Sequence, residues 1–283
     1  MDASCTAWLK IFRRFRGNIV GMIHLSACPG TPRYQGSVRK IIEKAEYEAK
    51  IYKEAGVDSV LVENMHDIPY LHTQEVGPEV VSTMTRACSR VRQVFDTGPV
   101  GVQILAGANK QGLAVAVAAE LDYIRAEGFV FSHVADEGLM NACAGPLLRY
   151  RKMIGAEHIQ VFTDIKKKHS AHSITSDVSI EDTAQAAQYF LTDGVILTGS
   201  STGLPVNHQE LEVVQKSVDI PVLIGSGVTA DNYPVFKSAH ALIIGSYFKM
   251  AHRWHGDIDE KILSDFMDIV RKDRSSENIQ EEK

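Results

Sequence analysis

Short apolar runs alternate with segments of helical period along the whole chain. The runs fall at residues 19–24, 59–63, 100–105, 123–126, 159–164, 194–197, 222–225 and 242–245. Helical patterning over 37–55, 79–95, 110–121, 145–154, 180–191, 209–217, 232–237 and 257–271 fills the spaces between them and closes the set. Strand and helix alternating in this way predict a parallel sheet with helical crossovers, and eight repeats are what a single (β/α)₈ TIM barrel requires. The alternative, an open doubly wound sheet, commonly carries G-x-G-x-x-G after its first strand, where this chain has Ala27, Cys28, Pro29 and Gly30. No linker-like stretch interrupts the pattern. One barrel is therefore expected over 19–272, after an N-terminal extension or barrel-capping helix at 1–18 and before a polar, frayed tail at 273–283.

In such barrels the loops that follow the strands build the active site. Those loops are rich in polar side chains here. His24 ends the first run; Glu63, Asn64, His66 and Asp67 follow the second; Gln103, Asn109 and Lys110 lie near the third. The longest loops follow the fourth and fifth runs. One holds Glu127, His133, Asp136, Glu137 and Asn141, the other Asp164, Lys166, Lys167, Lys168, His169 and His172. Long loops on one face of a compact barrel are more often lids or binding loops than filler.

Composition narrows the partners. With 283 residues, 45% hydrophobic and 23% charged, the chain is globular and long enough for one barrel. A net charge of -5 gives no field to hold a polyanion, so nucleic acid is not expected as a partner. No apolar run approaches the ~20 residues of a membrane span. Cys5, Cys28, Cys88 and Cys143 are scattered without a C-x-x-C pair, which predicts free thiols in a reducing compartment such as the cytoplasm. Near the N-terminus, Lys10, Arg13, Arg14 and Arg16 interleave with Trp8, Leu9, Ile11 and Phe12. This reads as a helix covering the barrel. A mitochondrial-type targeting helix is the alternative, against which stand the acidic Asp2 and the short distance to the first apolar run.

A set of motifs then occurs in order: Gly21-Met22-Ile23-His24-Leu25, Glu63-Asn64-Met65-His66-Asp67, Ala135-Asp136-Glu137-Gly138, Asp164-Ile165-Lys166-Lys167-Lys168-His169, Thr198-Gly199-Ser200-Ser201-Thr202-Gly203 and Gly225-Ser226-Gly227-Val228. Together they resemble the BtpA/SgcQ family over residues 20–254, departing slightly at Cys28, where an apolar residue is usual before Pro29-Gly30. The resemblance implies a barrel of the ribulose-phosphate-binding kind. One member lies among bacterial sugar-utilisation genes, which points to a phosphorylated sugar. The family's namesake is a membrane-peripheral factor in photosystem I biogenesis, which implies a non-catalytic assembly or stability factor as the alternative. No settled reaction comes with the family.

The residues themselves suggest three constellations. Gly225-Ser226-Gly227 and Gly245-Ser246 follow the seventh and eighth runs, where barrels bind phosphate through converging backbone N–H groups, and Thr198, Ser200, Ser201 and Thr202 add hydroxyls from the sixth loop. Alternatively, these glycines only permit tight turns. Asp164 and Lys166 stand two residues apart at a strand end, so an extended backbone turns both to one face, and Arg125 and Glu127 repeat that spacing one strand earlier. Asp164, Lys166 and Glu127, with Glu63 and His24, form a candidate catalytic set for proton transfer next to a carbonyl, as in an isomerase, epimerase, aldolase or decarboxylase. The alternatives are a surface ion pair for Lys166 and a paired core position for His24. Finally, carboxylates crowded on one rim need a cation, a lysine or raised pKa values, which makes magnesium at Asp67, Asp136 and Glu137 a candidate cofactor. Zinc is less suited, because His169/His172 and His252/His255 lack a third ligand nearby. The expected partner is a phosphorylated sugar or nucleotide-like molecule, with assembly into a homo-oligomer left open.

Overall fold

The computed structural model describes residues 3–199 and 205–281. Its strands in chain order are β1 (Asn18–His24), β2 (Ser59–Glu63), β3 (Val100–Gln103), β4 (Tyr123–Ala126), β5 (His133–Ala135), β6 (Gly138–Met140), β7 (Gln160–Ile165), β8 (Ser170–Ala171), β9 (Gly194–Leu197), β10 (Val222–Ile224) and β11 (Ala241–Ile244). Eight of them close a parallel barrel in the order β1, β2, β3, β4, β7, β9, β10, β11 and back to β1. The helices are α1 (Ala3–Ile11), α2 (Val38–Ala55), α3 (Pro78–Val94), α4 (Asn109–Ala118), α5 (Ala144–Met153), α6 (Ile180–Tyr189), α7 (His208–Ser217), α8 (Tyr233–Phe236) and α9 (Glu260–Glu281). The chain is thus a TIM barrel, as the alternation predicted.

Both faces of every barrel strand are buried, which is why the strands read as continuous apolar runs. Outward side chains such as Ile19, Ile23, Val60 and Val62 join the helices in one core, while Val20, Met22, Leu61, Tyr123, Phe162, Ile196, Leu223 and Ile243 fill the interior. Small residues face large ones there: a Cβ on Gly101 would fall 2.2 Å from the Tyr123 ring. The helices are locally specified. Ser37 caps α2 by accepting from Lys40 N–H, Gly56 ends it at φ 78°, and Ser179 with Asp182 forms a capping box on α6.

The N-terminal segment is a cap. Trp8 and Phe12 of α1 and its exit are fully buried, stack at 4.0 Å between centroids, and reach Phe162 (5.5 Å from Trp8) and Tyr123 (5.9 Å from Phe12). Since Tyr123 opens β4, this plug closes the end of the barrel opposite the loops that follow the strands. Among the described residues, no helix is long and apolar enough to cross a membrane. Cys28, Cys88 and Cys143 are free thiols.

One expectation needs correction. The closing helix does not end at Arg271 before a frayed tail; α9 continues to Glu281. The long loops after β4 and β7 carry strands that the sequence did not announce: β5, β6 and β8 pair antiparallel into a small sheet above the barrel. These strands are two or three residues long and partly exposed, so they leave no periodic apolar signal.

Candidate active site

The inward side chains change character at the C-terminal ends of the strands. Register aligns His24 with Glu63 and Glu63 with Gln103, so three buried polar groups share one rung. They face a cavity of about 750 Å³. Arg125 and Glu127 continue the floor. Arg125 is pinned by Asp164, with Nε 3.0 Å from Oδ2 and Nη2 2.8 Å from Oδ1, both side chains being buried. Such a bidentate pair fixes the guanidinium plane. Glu127 accepts from Gln103 Nε2 (3.3 Å), Gly107 N–H (3.2 Å) and Lys167 Nζ (3.2 Å).

Glu63 and His24 stand side by side on the cavity wall. His24 Nδ1 lies 2.8 Å from the Trp254 carbonyl, which only accepts, so Nδ1 carries the proton and Nε2 keeps its lone pair. Nε2 is 3.6 Å from Glu63 Oε2. Burial, reinforced by the Lys249 charge, lowers the His24 pKa to about 3. Burial pushes the Glu63 carboxyl up, partly offset by the Arg125 charge. A neutral imidazole therefore faces a carboxyl whose charged form is disfavoured. Lys249 itself is locked to Glu48 of α2 at 2.8 Å, which anchors the loop that carries Trp254.

A cation completes the floor. Lys168 lines the cavity, its backbone N–H donates to Thr198 Oγ1 (3.2 Å), and its ammonium has no hydrogen-bond or ion-pair partner among the described residues. Burial, and then the neighbouring Arg125 charge, lower its pKa. Lys166 sits elsewhere. At φ 46° it leaves the extended conformation, which ends the alternation that was expected to place it beside Asp164 in the mouth. Its Nζ donates to Thr175 O at 2.9 Å in a small separate recess, and Asp164 serves Arg125 instead.

The glycine loops line the opposite side. A Cβ on Gly225 would lie 2.6 Å from Ile196 Cγ2 and 3.2 Å from Arg125 Nη2, too close for any other residue without a shift, and one on Gly245 would meet His24 Cε1 tightly at 3.2 Å. Gly227 adopts φ 75°. Ser226 Oγ accepts from Gly199 N–H at 3.0 Å, and Ser246 also lines the cavity. Ser200, with Ser201 and Thr202, lies outside the described residues.

The hairpin between β5 and β6 brings Asp136 and Glu137 over the cavity. Asp67 is not with them: its carboxylate accepts from Cys28 N–H (2.7 Å) and Asn64 Nδ2 (2.9 Å), tying the first two loops together. Among the described residues no three His, Cys, Asp or Glu side chains converge as metal ligands. The magnesium set inferred from the sequence is therefore not brought together, and Lys167 lies within the field of Glu127 and Glu137. Lys168 lay within a motif without being assigned a catalytic role, and Gln103 and the aromatic wall of Tyr70, Tyr247 and Trp254 belong to none. Gln103 was legible as a polar strand end; the aromatics sit in loops without a pattern.

The BtpA family's sequence profile matches residues 16–272. An uncharacterised protein of Caenorhabditis elegans whose name places it in mitochondria is 48% identical over 265 residues, covering 92% of this chain and 95% of its own. The photosystem I biogenesis protein BtpA of Synechocystis sp. is 32% identical over 260 residues, covering 90% of this chain and 87% of its own. Among solved structures, phosphoribosyl anthranilate isomerase from Thermus thermophilus aligns with TM-score 0.55 at 11% identity over 90% of this chain and 98% of its own. The N-acetylmannosamine-6-phosphate 2-epimerase from Clostridium perfringens gives 0.52 at 13%, over 90% and 94%. Identities this low show a shared barrel and no more. The match along nearly the whole barrel, with both of these relatives above 30% identity, shows that the chain belongs to the BtpA family.

Proposed function

We propose that the protein is an isomerase- or lyase-type enzyme that moves a proton at a carbon next to a carbonyl of a phosphorylated sugar or nucleotide-like molecule. The observation that carries this reading is the arrangement around the cavity: glycine loops on β10 and β11, the Glu63–His24 couple on one flank, and on the other the Lys168 ammonium, which has no partner among the described residues. The phosphate rests against backbone N–H groups of Gly225–Gly227 and Gly245–Ser246, joined by Thr198 from the sixth loop. Glu63 takes the proton from carbon as a carboxylate and returns it as an acid, its raised pKa matching it to both roles. Lys168 and the Asp164-fixed Arg125 face the developing enediolate oxygen, and neither has to reorganise as charge appears. The named activities of the structural neighbours, an isomerase and an epimerase on phosphorylated sugars, support this class.

The Synechocystis relative's name supports a second reading, a non-catalytic factor that uses the cavity to sense a ligand. Turnover separates the two. Thermal shift against a panel of sugar phosphates identifies a binder, because a ligand of the native state raises apparent stability. Conversion of that binder, lost in Glu63→Gln, supports the enzyme; tight binding without conversion supports the sensor. The worm relative's name supports the mitochondrial alternative for the compartment over the cytoplasm, and imaging of the tagged chain checks it.

A further inference from the structure

The segment that follows β11 is built as a closed loop. Its ends are joined by an antiparallel bridge between Lys249 and Ile258, by Met250 N–H on the Asp257 carbonyl (2.8 Å) and by Asp259 N–H on the Phe248 carbonyl (2.8 Å). Between these ends, Trp254 lines the cavity and sets its carbonyl 2.8 Å from His24 Nδ1. That is the one hydrogen bond of the His24 ring among the described residues. An imidazole free in water prefers its proton on Nε2. The tautomer with a bare Nε2 towards Glu63 therefore exists here because this carbonyl imposes it.

Helix α2 grips the loop at two points one helical turn apart. Lys44 reaches Asp257 at 2.8 Å, but the Asp257 side chain is 80% exposed, and surface pairs of this kind fix little. Glu48 meets Lys249 at 2.8 Å with side chains only 3% and 1% exposed. Burial pushes the Glu48 carboxyl up and the Lys249 ammonium down, each partly offset by the partner's charge, so a hydrogen bond joins the two whichever holds the proton. A buried pair contributes little net stability over apolar side chains of the same volume. What it supplies, and non-directional apolar packing does not, is one bond on one atom that holds the start of the loop against an eighteen-residue helix.

We propose that Glu48 and Lys249 are positioning residues for His24: through the loop they hold the Trp254 carbonyl on Nδ1, and thereby keep Nε2 bare and turned to Glu63. This rests on the acid–base reading of Glu63 and His24 and adds the device that aligns them. The charged and titratable groups that face the ring are Glu63, Lys249, Lys168 and His66, of which Lys249 alone belongs to the pair.

The test observes the ring in the full chain without substrate. Histidine-selective ¹⁵N NMR, at a pH where imidazoles are neutral, reports the tautomer, and His24→Gln assigns the signal among the eleven histidines. The native protein should show the Nδ1–H tautomer alone. Glu48→Met with Lys249→Met removes the bond, strands no charge and keeps much of the stem volume, so the fold should survive while the ring becomes a mixture of both tautomers. Lys44→Met cuts the exposed grip and should leave the native signal. A single Nδ1–H tautomer in the folded double variant, or an equal mixture in Lys44→Met, overturns the proposal. Should the double variant not fold, Glu48→Gln decides in its place: it keeps the volume and weakens the bond, so the second tautomer should appear in smaller amount, and a native signal overturns the proposal. With an identified substrate, the double variant should lose up to about 10²-fold in kcat at unchanged KM, and a loss confined to KM contradicts positioning. Because the ring is observed without substrate, a protein that converts no sugar phosphate sinks the acid–base reading alone, whereas a ring unmoved by the double change sinks the positioning alone.

Discussion

At the scale of single residues, the account turns on which lysine meets the ligand. Sequence spacing favoured Lys166, because alternation along an extended strand would set it beside Asp164. A left-handed φ at Lys166 breaks that alternation and turns its ammonium to Thr175, and Lys168 enters the cavity instead. Spacing arguments of this kind hold only as far as the strand does, and nothing in the run of three lysines marks where it stops. Lys168→Met should lower turnover of an identified substrate by about 10²–10³-fold, whereas Lys166→Met should keep most of it. Folding should not suffer in Lys168→Met, since no ion pair among the described residues is broken. Comparable turnover in both variants would remove Lys168 from the mechanism.

His24 makes a separate prediction about pH. Its pKa falls from 6.5 to about 3 on folding, so the unfolded chain binds a proton that the native state refuses. Stability attributable to this group is therefore full above pH 6.5 and is lost as pH falls through that value towards 3. The native slope should be steeper than that of His24→Gln by about 1.4 kcal/mol per pH unit in the middle of this window. Urea denaturation of both proteins at a series of pH values measures it. Parallel slopes would mean that the imidazole is not held neutral.

At the scale of elements, the strands and the larger helices were legible because both faces of each strand are buried and the helices keep an amphipathic period. The capping role of α1 was legible in part, through Trp8 and Phe12 on a basic segment. What could not be read was the β5–β6–β8 sheet, whose residues earn little burial, and therefore the placement of Asp136 and Glu137 above the mouth. Removing the plug should cost stability without touching the site. Trp8→Ala should destabilise the protein by about 3–5 kcal/mol, the usual range for a large buried aromatic, and leave ligand affinity unchanged. A loss of affinity in the folded variant would couple the two ends of the barrel.

The Arg125–Asp164 pair links β4 to β7 in the same way. Arg125→Met strands a buried carboxylate and should cost about 3–5 kcal/mol, whereas the double change Arg125→Met with Asp164→Leu should recover much of that. Neither variant should bind ligand well, because the fixed guanidinium is gone. Full recovery of binding in the double variant would reduce the pair to a structural role.

For the whole molecule, closure of the barrel assembles the candidate site. It brings residues from every part of the sequence to one mouth, with glycine loops on β10 and β11, acid–base groups on β1 and β2, and a cation after β7. The most direct measurement of the central claim follows carbon-bound hydrogen. A phosphorylated sugar that binds the cavity is incubated with the protein in D₂O and observed by proton NMR. Deuterium should replace the hydrogen next to the carbonyl with the native protein, and Glu63→Gln should slow that exchange by about 10²–10⁴-fold. A bound sugar phosphate that keeps its hydrogen indefinitely with the native protein, or exchanges it equally fast with Glu63→Gln, would contradict the account.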